Sequence, residues 1–146
     1  MDILDLIRNR ATTRQYKHKP IPQKSLNAVI EAGIWGPAIH HFQPWKFIII
    51  QNRRVINKIA SLVTGKLTDI KAPAFVARPT IITLKNAPLL ICVYNTKNFS
   101  GKVRQFNKEI ADNFELAEIS AIAAAIQNMI LVIESRKLGS CWLDMP

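Results

Sequence analysis

The chain has 146 residues, 49% of them hydrophobic and 21% charged, and its 20 Lys and Arg against 10 Asp and Glu give a formal net charge of +10. This composition fits one globular domain, residues 1–146, with a sizeable core, and excludes a disordered polycation. No run reaches the ~18–20 consecutive apolar residues of a membrane span, and the opening MDILDLIRNR lacks the basic and apolar regions of a signal peptide, so the chain reads as cytoplasmic with no membrane partner.

Asp2 to Asn9 carries Ile3, Leu6 and Ile7 at helical spacing, with Asp2 placed to cap the start. A basic stretch from Arg8 to Lys19 follows and ends at Pro20 and Pro22. Ser25 opens a second helix with Leu26, Val29 and Ile30 on one face, and Gly36-Pro37 stops it. After a proline-bounded loop, Trp45 to Ile50 is rich in aromatic and β-branched residues and reads as a buried strand. Helical periodicity returns from Asn52 to Val63, whereas residues 66–85, interrupted by Pro73 and Pro79, show no firm period.

Ala87-Pro88 introduces a second apolar strand, residues 89–94. From about Lys108 to Lys137, Ile119, Ile122, Ile126, Met129, Ile130 and Ile133 recur at helical intervals among four alanines, predicting a long central helix buried on much of its circumference. Glu109, Asp112, Glu115 and Glu118 are read as lying in its first turns and Arg136 and Lys137 in its last, the polarity that the helix dipole favours, and Gly139 ends it. Ser140 to Leu143 then reads as the start of a third strand. This order of elements is an α+β or α/β layer arrangement around one sheet. So short a sheet implies either completion of the core by another chain or a fragment.

Three segments carry chemistry. Arg10 and Arg14, with Thr12 between them, offer two guanidinium forks and a hydroxyl suited to a phosphate monoester; a solvated basic helix end reads equally well. Residues 1–73 hold twelve Lys and Arg against four acids, an electropositive bias that attracts phosphate on nucleic acid, on lipid or on a cofactor alike. Between Gly36 and Trp45 a loop bracketed by prolines presents His40, His41 and Gln43 just before a buried strand, where ligand sites commonly sit. Adjacent histidines with no spaced carboxylate or cysteine read as loop hydrogen-bonders, not a metal site. In Leu138 to Asp144, a glycine and small residues before Trp142 let backbone amides approach a flat ring; an ordinary helix cap and strand is the alternative. Cys92 and Cys141 lack ligand spacing and a basic partner and read as reduced core thiols. Rossmann, P-loop, hydrolase-elbow and zincin motifs are all missing from the sequence.

Together the segments resemble the FMN-dependent nitroreductase family: Arg10 to Tyr16 its opening Arg-x-Ser/Thr-x-Arg-x-aromatic, Pro37 to Trp45 its Pro-Ser loop running to Gln-Pro-Trp, Ala87-Pro88 its Ala-Pro before a strand, and Ile119 to Trp142 its long helix ending in Leu-Gly-Ser-Cys-Trp. The resemblance implies an α+β fold, a three-layer α/β/α sandwich with a central mixed or antiparallel sheet around a long buried helix, here incomplete at the C-terminus. It also implies a homodimer with FMN at the interface, held by Arg10, Thr12 and Arg14 of one subunit, by Pro37, Ala38, Ile39 and His41 of the other, and by backbone near Trp142, Leu143 and Asp144. The flavin carries the redox step, so no side chain is assigned a catalytic role; NADH or NADPH is the implied reductant, and a nitroaromatic or quinone the small-molecule acceptor.

Ala38 and His41 depart from the family's loop serine and asparagine, and residues 66–86 offer only Arg78 and Lys85 as further flavin contacts. Family members also usually continue beyond this length, with further strands and a basic phosphate ligand. A shortened relative that binds a flavin or another phosphate-bearing ligand without turnover is the alternative expectation. A nucleic-acid-binding module, motivated only by charge, ranks last because aromatics do not interleave the basic residues.

Overall fold

A computed structural model describes residues 2–17, 19–38 and 40–143. The first helix, α1 (Ile3–Asn9), starts at Asp2, whose side chain accepts from the Ile3 N–H at 2.6 Å, and buries none of its residues. Helix α2 (Gln23–Ile34) begins directly after Pro22 and not at Ser25, because Pro22 leaves its carbonyl free to accept from the Ser25 and Leu26 amides. Leu26, Val29 and Gly33 form its buried stripe.

Strand β1 (Trp45–Ile50) and strand β2 (Leu90–Asn95) pair antiparallel, with Trp45 opposite Asn95 and Ile50 opposite Leu90. Between them lie α3 (Arg53–Asp69), capped by Asn52, and α4 (Ala74–Asn86), and these two helices pack on each other. The stretch 66–85, without a firm period in the sequence, is thus the end of one helix and most of another. Pro79 is tolerated inside α4 because the carbonyl it leaves without an amide partner belongs to Phe75, in an exposed first turn. A short helix α5 (Ser100–Val103) precedes α6 (Lys108–Ser135), the spine of the fold.

Trp45 packs with Ala121, Ile122 and Ala125 of α6, flanked by Phe47, Val93, Ala38 and Ile126. The close seating of α2 depends on glycine: a Cβ on Gly33 would stand 2.8 Å from the Phe47 ring, and one on Gly36 2.8 Å from the Ala125 methyl. Helix α6 is long and apolar enough to cross a membrane by composition, but here it lies against α2, α5 and β2. Its burial is one-sided: Ala111, Glu118, Ala121, Ile122, Ala125, Met129 and Ile130 face inward, whereas Leu116 and Ile119 are exposed because nothing among the described residues covers that face.

The expected third strand at Ser140 is a single parallel bridge to Thr12, since residues 141–143 pair with nothing among the described residues. Neither cysteine is a core thiol: Cys92 lies on the exposed sheet face beside Tyr94, and Cys141 is half-buried.

Candidate functional site

Two of the three chemically suggestive segments meet directly. The Thr13 amide donates to the Ser140 carbonyl at 2.8 Å, Thr12 bridges Ser140, and the Tyr16 hydroxyl turns back to the Thr13 carbonyl at 2.6 Å. Thr13 faces Gly139 so tightly that a Cβ there would come within 2.7–2.8 Å of its side chain. Thr12 and Arg14, on either side of half-buried Thr13, are both exposed. Arg10 is half-buried, its amide closing α1 on the Leu6 carbonyl. Burial holds the Tyr16 hydroxyl up at about 12, with a further push from Cys141 against a pull from Arg14, so it remains a donor.

Gly139 is therefore not what ends α6. The helix closes two residues earlier, where Lys137 adopts φ 56° and the amides of Lys137 and Leu138 return to the carbonyls of Glu134 and Ile133. Glycine is needed one step later, for the approach to Thr13. Trp142 is exposed and Leu143 half-buried beside this junction; Asp144 lies outside the described residues.

The third segment sits elsewhere. Gly36 rests on Ala125, and Pro37 and Ala38 border a groove of about 270 Å³ floored by Ala117, Ser120 and Ala121. Gln43 donates to the Ile34 carbonyl at 3.0 Å, and the Pro44 carbonyl accepts from the Thr96 amide at 2.7 Å. Gln43-Pro44-Trp45 thus anchors the loop at both α2 and β2. His40 and His41 are both left-handed, at φ 46° and 63°, a costly pair for non-glycine residues. The hydrogen-bonding expected of them gives way to packing at His40, whose ring lies 6.0 Å from that of Phe99 and 6.2 Å from that of Phe114. Ile39 lies outside the described residues. Arg78 and Lys85 ride on the outer side of α4, which packs on α3 and not on the Arg10–Arg14 run.

A further feature is absent from the sequence reading. Glu118 is eleven residues into α6, beyond the turns that feel the helix dipole, and only 1% exposed. Its carboxylate accepts from Asn95 Nδ2 at 2.9 Å, the Ser100 hydroxyl at 2.7 Å, and the Ser100 and Phe99 amides at 3.0 and 3.3 Å. Burial alone would raise its pKa, but these donors prevail and hold it below the ordinary carboxylate value. The available signal was its place on the buried stripe, seven residues after Ala111 and seven before Ala125.

Comparison with known proteins shows the family of the chain. The model of the Nitroreductase family matches residues 7–146. The chain belongs to the nitroreductase family. This nitroreductase-family chain is 25% identical over 142 residues to a protein of Methanothermobacter thermautotrophicus provisionally named an NADH dehydrogenase/NAD(P)H nitroreductase, covering 97% of the chain but 60% of that relative. Among solved structures, a BluB-like flavoprotein from Clostridium difficile 630 is similar at TM-score 0.74 and 27% identity, over 98% of this chain and 74% of that one. A nitroreductase from Bacteroides fragilis, solved with bound FMN, is similar at TM-score 0.72 and 25% identity, over 99% and 70%. The α+β fold of this chain is the nitroreductase fold.

Residues 10–14 suit the phosphate-bearing end of FMN. Two guanidinium groups and a hydroxyl share a short run, the run is fixed by the close Thr13–Gly139 seat, and among the described residues no acid pairs with either arginine.

Proposed function

We propose that this chain is part of an FMN-dependent NAD(P)H oxidoreductase that works as a homodimer, accepting hydride from NADH or NADPH and passing it in a second half-reaction to a nitroaromatic or quinone-like acceptor. The observation that supports the reading is the Thr13–Gly139 junction, which seats the backbone of the Arg10–Arg14 run, with Thr12 and Arg14 exposed, beside the end of the long helix, a run we read as one cationic cradle. Bound there, FMN supplies the hydride-accepting ring. The arginines hold its phosphate end and oppose negative charge, and backbone beside Trp142 and Leu143 lines its approach.

Distance supports the dimer reading. Pro37 and Ala38 meet α6 near Ala121, whereas the cradle lies past the helix end at Ser135, roughly 20 Å along the axis at ~1.5 Å per residue. A second copy offers its own loop to the cradle. Exposed Ile3, Leu4, Ile7, Trp35, Leu116 and Ile119 supply apolar surface for that association.

The test is a visible spectrum of the purified protein incubated with FMN, then with NADH or NADPH without oxygen. Retained flavin bands that bleach and recover when a quinone is added support the proposal. Retained flavin that neither reductant bleaches would favour a binding relative without turnover, a reading that the exchange of the loop's serine and asparagine for Ala38 and His41 makes worth separating.

A further inference from the structure

The turn between β2 and α5 is built around Glu118. Asn95 serves it twice: its Nδ2 donates to Glu118, and its Oδ1 accepts from the Lys97 amide at 2.8 Å, folding Lys97 into the left-handed region at φ 52°. Ser100 and Phe99 add the remaining donors. All four partners give protons, so the site asks for an acceptor on every side, which only an ionised carboxylate provides.

This turn does not end at its own backbone. Phe99 stacks on Phe42 with ring centroids 4.8 Å apart, meets Phe114 edge-on at 4.6 Å, and lies beside His40. Next door, Thr96 ties the turn to the Pro44 carbonyl through both its amide and its hydroxyl. His40 and Phe42, on either side of His41, therefore meet Phe99 of a turn that Glu118 fixes from below.

We propose that Glu118 is a positioning residue for the His40–Phe42 segment, acting through Phe99 to hold that segment in the shape it presents to a flavin of the neighbouring subunit. This rests on the reading above that the segment meets the flavin, and it assigns a task to a carboxylate that touches neither cofactor nor substrate. Electrostatically the arrangement is self-contained: on the adjoining surface Lys97 and Arg104 pair with Glu115 and Asp112, leaving the buried carboxylate to its four hydrogen bonds.

The experiment compares Glu118→Gln, Phe99→Ala and the double variant by amide hydrogen exchange and by FMN titration. Glu118→Gln replaces one acceptor oxygen by a donor facing donors. Exchange is expected to rise together at residues 97–100 and 40–42, with Leu26–Gly33 of α2 unchanged. The FMN dissociation constant is expected to rise about tenfold, the scale of one lost charged hydrogen bond. The double variant should bind no more weakly than the weaker single one, because both act along one line.

Faster exchange confined to 97–100, or additive losses of FMN affinity, would overturn the proposal. Should Glu118→Gln not fold, Ser100→Ala removes a single donor and is expected to give the same exchange pattern at smaller amplitude; its absence counts against the proposal equally. Wild-type protein that takes up no FMN sinks the flavin reading, while the coupled exchange still decides whether Glu118 fixes the segment.

Discussion

Thr13 and Gly139 occupy a space with no room for one more carbon. A Gly139→Ala side chain would stand 2.7–2.8 Å from three atoms of a short, branched residue that cannot swing aside. The expected cost is about 1–3 kcal/mol, the usual range for overpacking, measured by chemical denaturation. FMN affinity should fall with it, because the displaced backbone carries Thr12 and Arg14. Lys137 offers the opposite case: a residue with a side chain holds the left-handed cap of α6, so Lys137→Gly should raise stability by about 0.5–1 kcal/mol, read as a higher unfolding midpoint. The sequence displays Arg10, Thr12 and Arg14 openly, since their types and spacing name their chemistry. The tasks of Gly139 and Lys137 are hidden there, because a glycine for close approach and one for a left-handed cap look alike until the neighbour across the gap is known.

At the level of elements, β1 matches its expected residues and β2 is shifted by one, because short apolar runs bounded by Pro and Asn allow little else. Helix α4 escapes a sequence reading for the reason that hides most helices holding a proline: the ring signals a break, and only the exposure of the first turn shows that the break costs little. Helix α5 is too short to have a period, and it rests on Glu118 from α6. That tie gives the region its acid response. Glu118 and Glu115 are both held below the usual carboxylate value, Glu118 by its donors against burial and Glu115 first by its hydrogen bond to Lys97. A carboxyl with a lowered pKa in the folded chain adds stability above the unfolded value of about 4.3, and the gain disappears as pH falls through the lower folded value. Amide exchange at residues 97–103, corrected for its intrinsic pH dependence, should therefore accelerate relative to α2 as pH drops below about 4, and Glu118→Gln should flatten that response.

For the whole molecule, the cationic excess and the open apolar faces act at different places. Among the described residues the only cations in ion pairs are Lys97 and Arg104, so the cations of residues 2–73 meet no acid among those residues and keep a field that draws phosphate. Exposed apolar surface lies on α1, on one side of α6 and at Trp35, which is 79% exposed directly before the Gly36-Pro37 turn, and also at Leu62, Phe75 and Phe106. If cradle and loop come together only across two copies, flavin binding and dimerisation are one linked equilibrium, and each must strengthen the other by the same factor. Sedimentation velocity across a dilution series should show FMN shifting the protein from monomer toward dimer. Trp35→Glu should lose dimer and flavin together, whereas Arg14→Gln should weaken flavin binding and leave the flavin-free association as it was. Tight FMN binding by a Trp35→Glu monomer would mean that a single chain completes its own site, and the loop near Ala121 would then need another role.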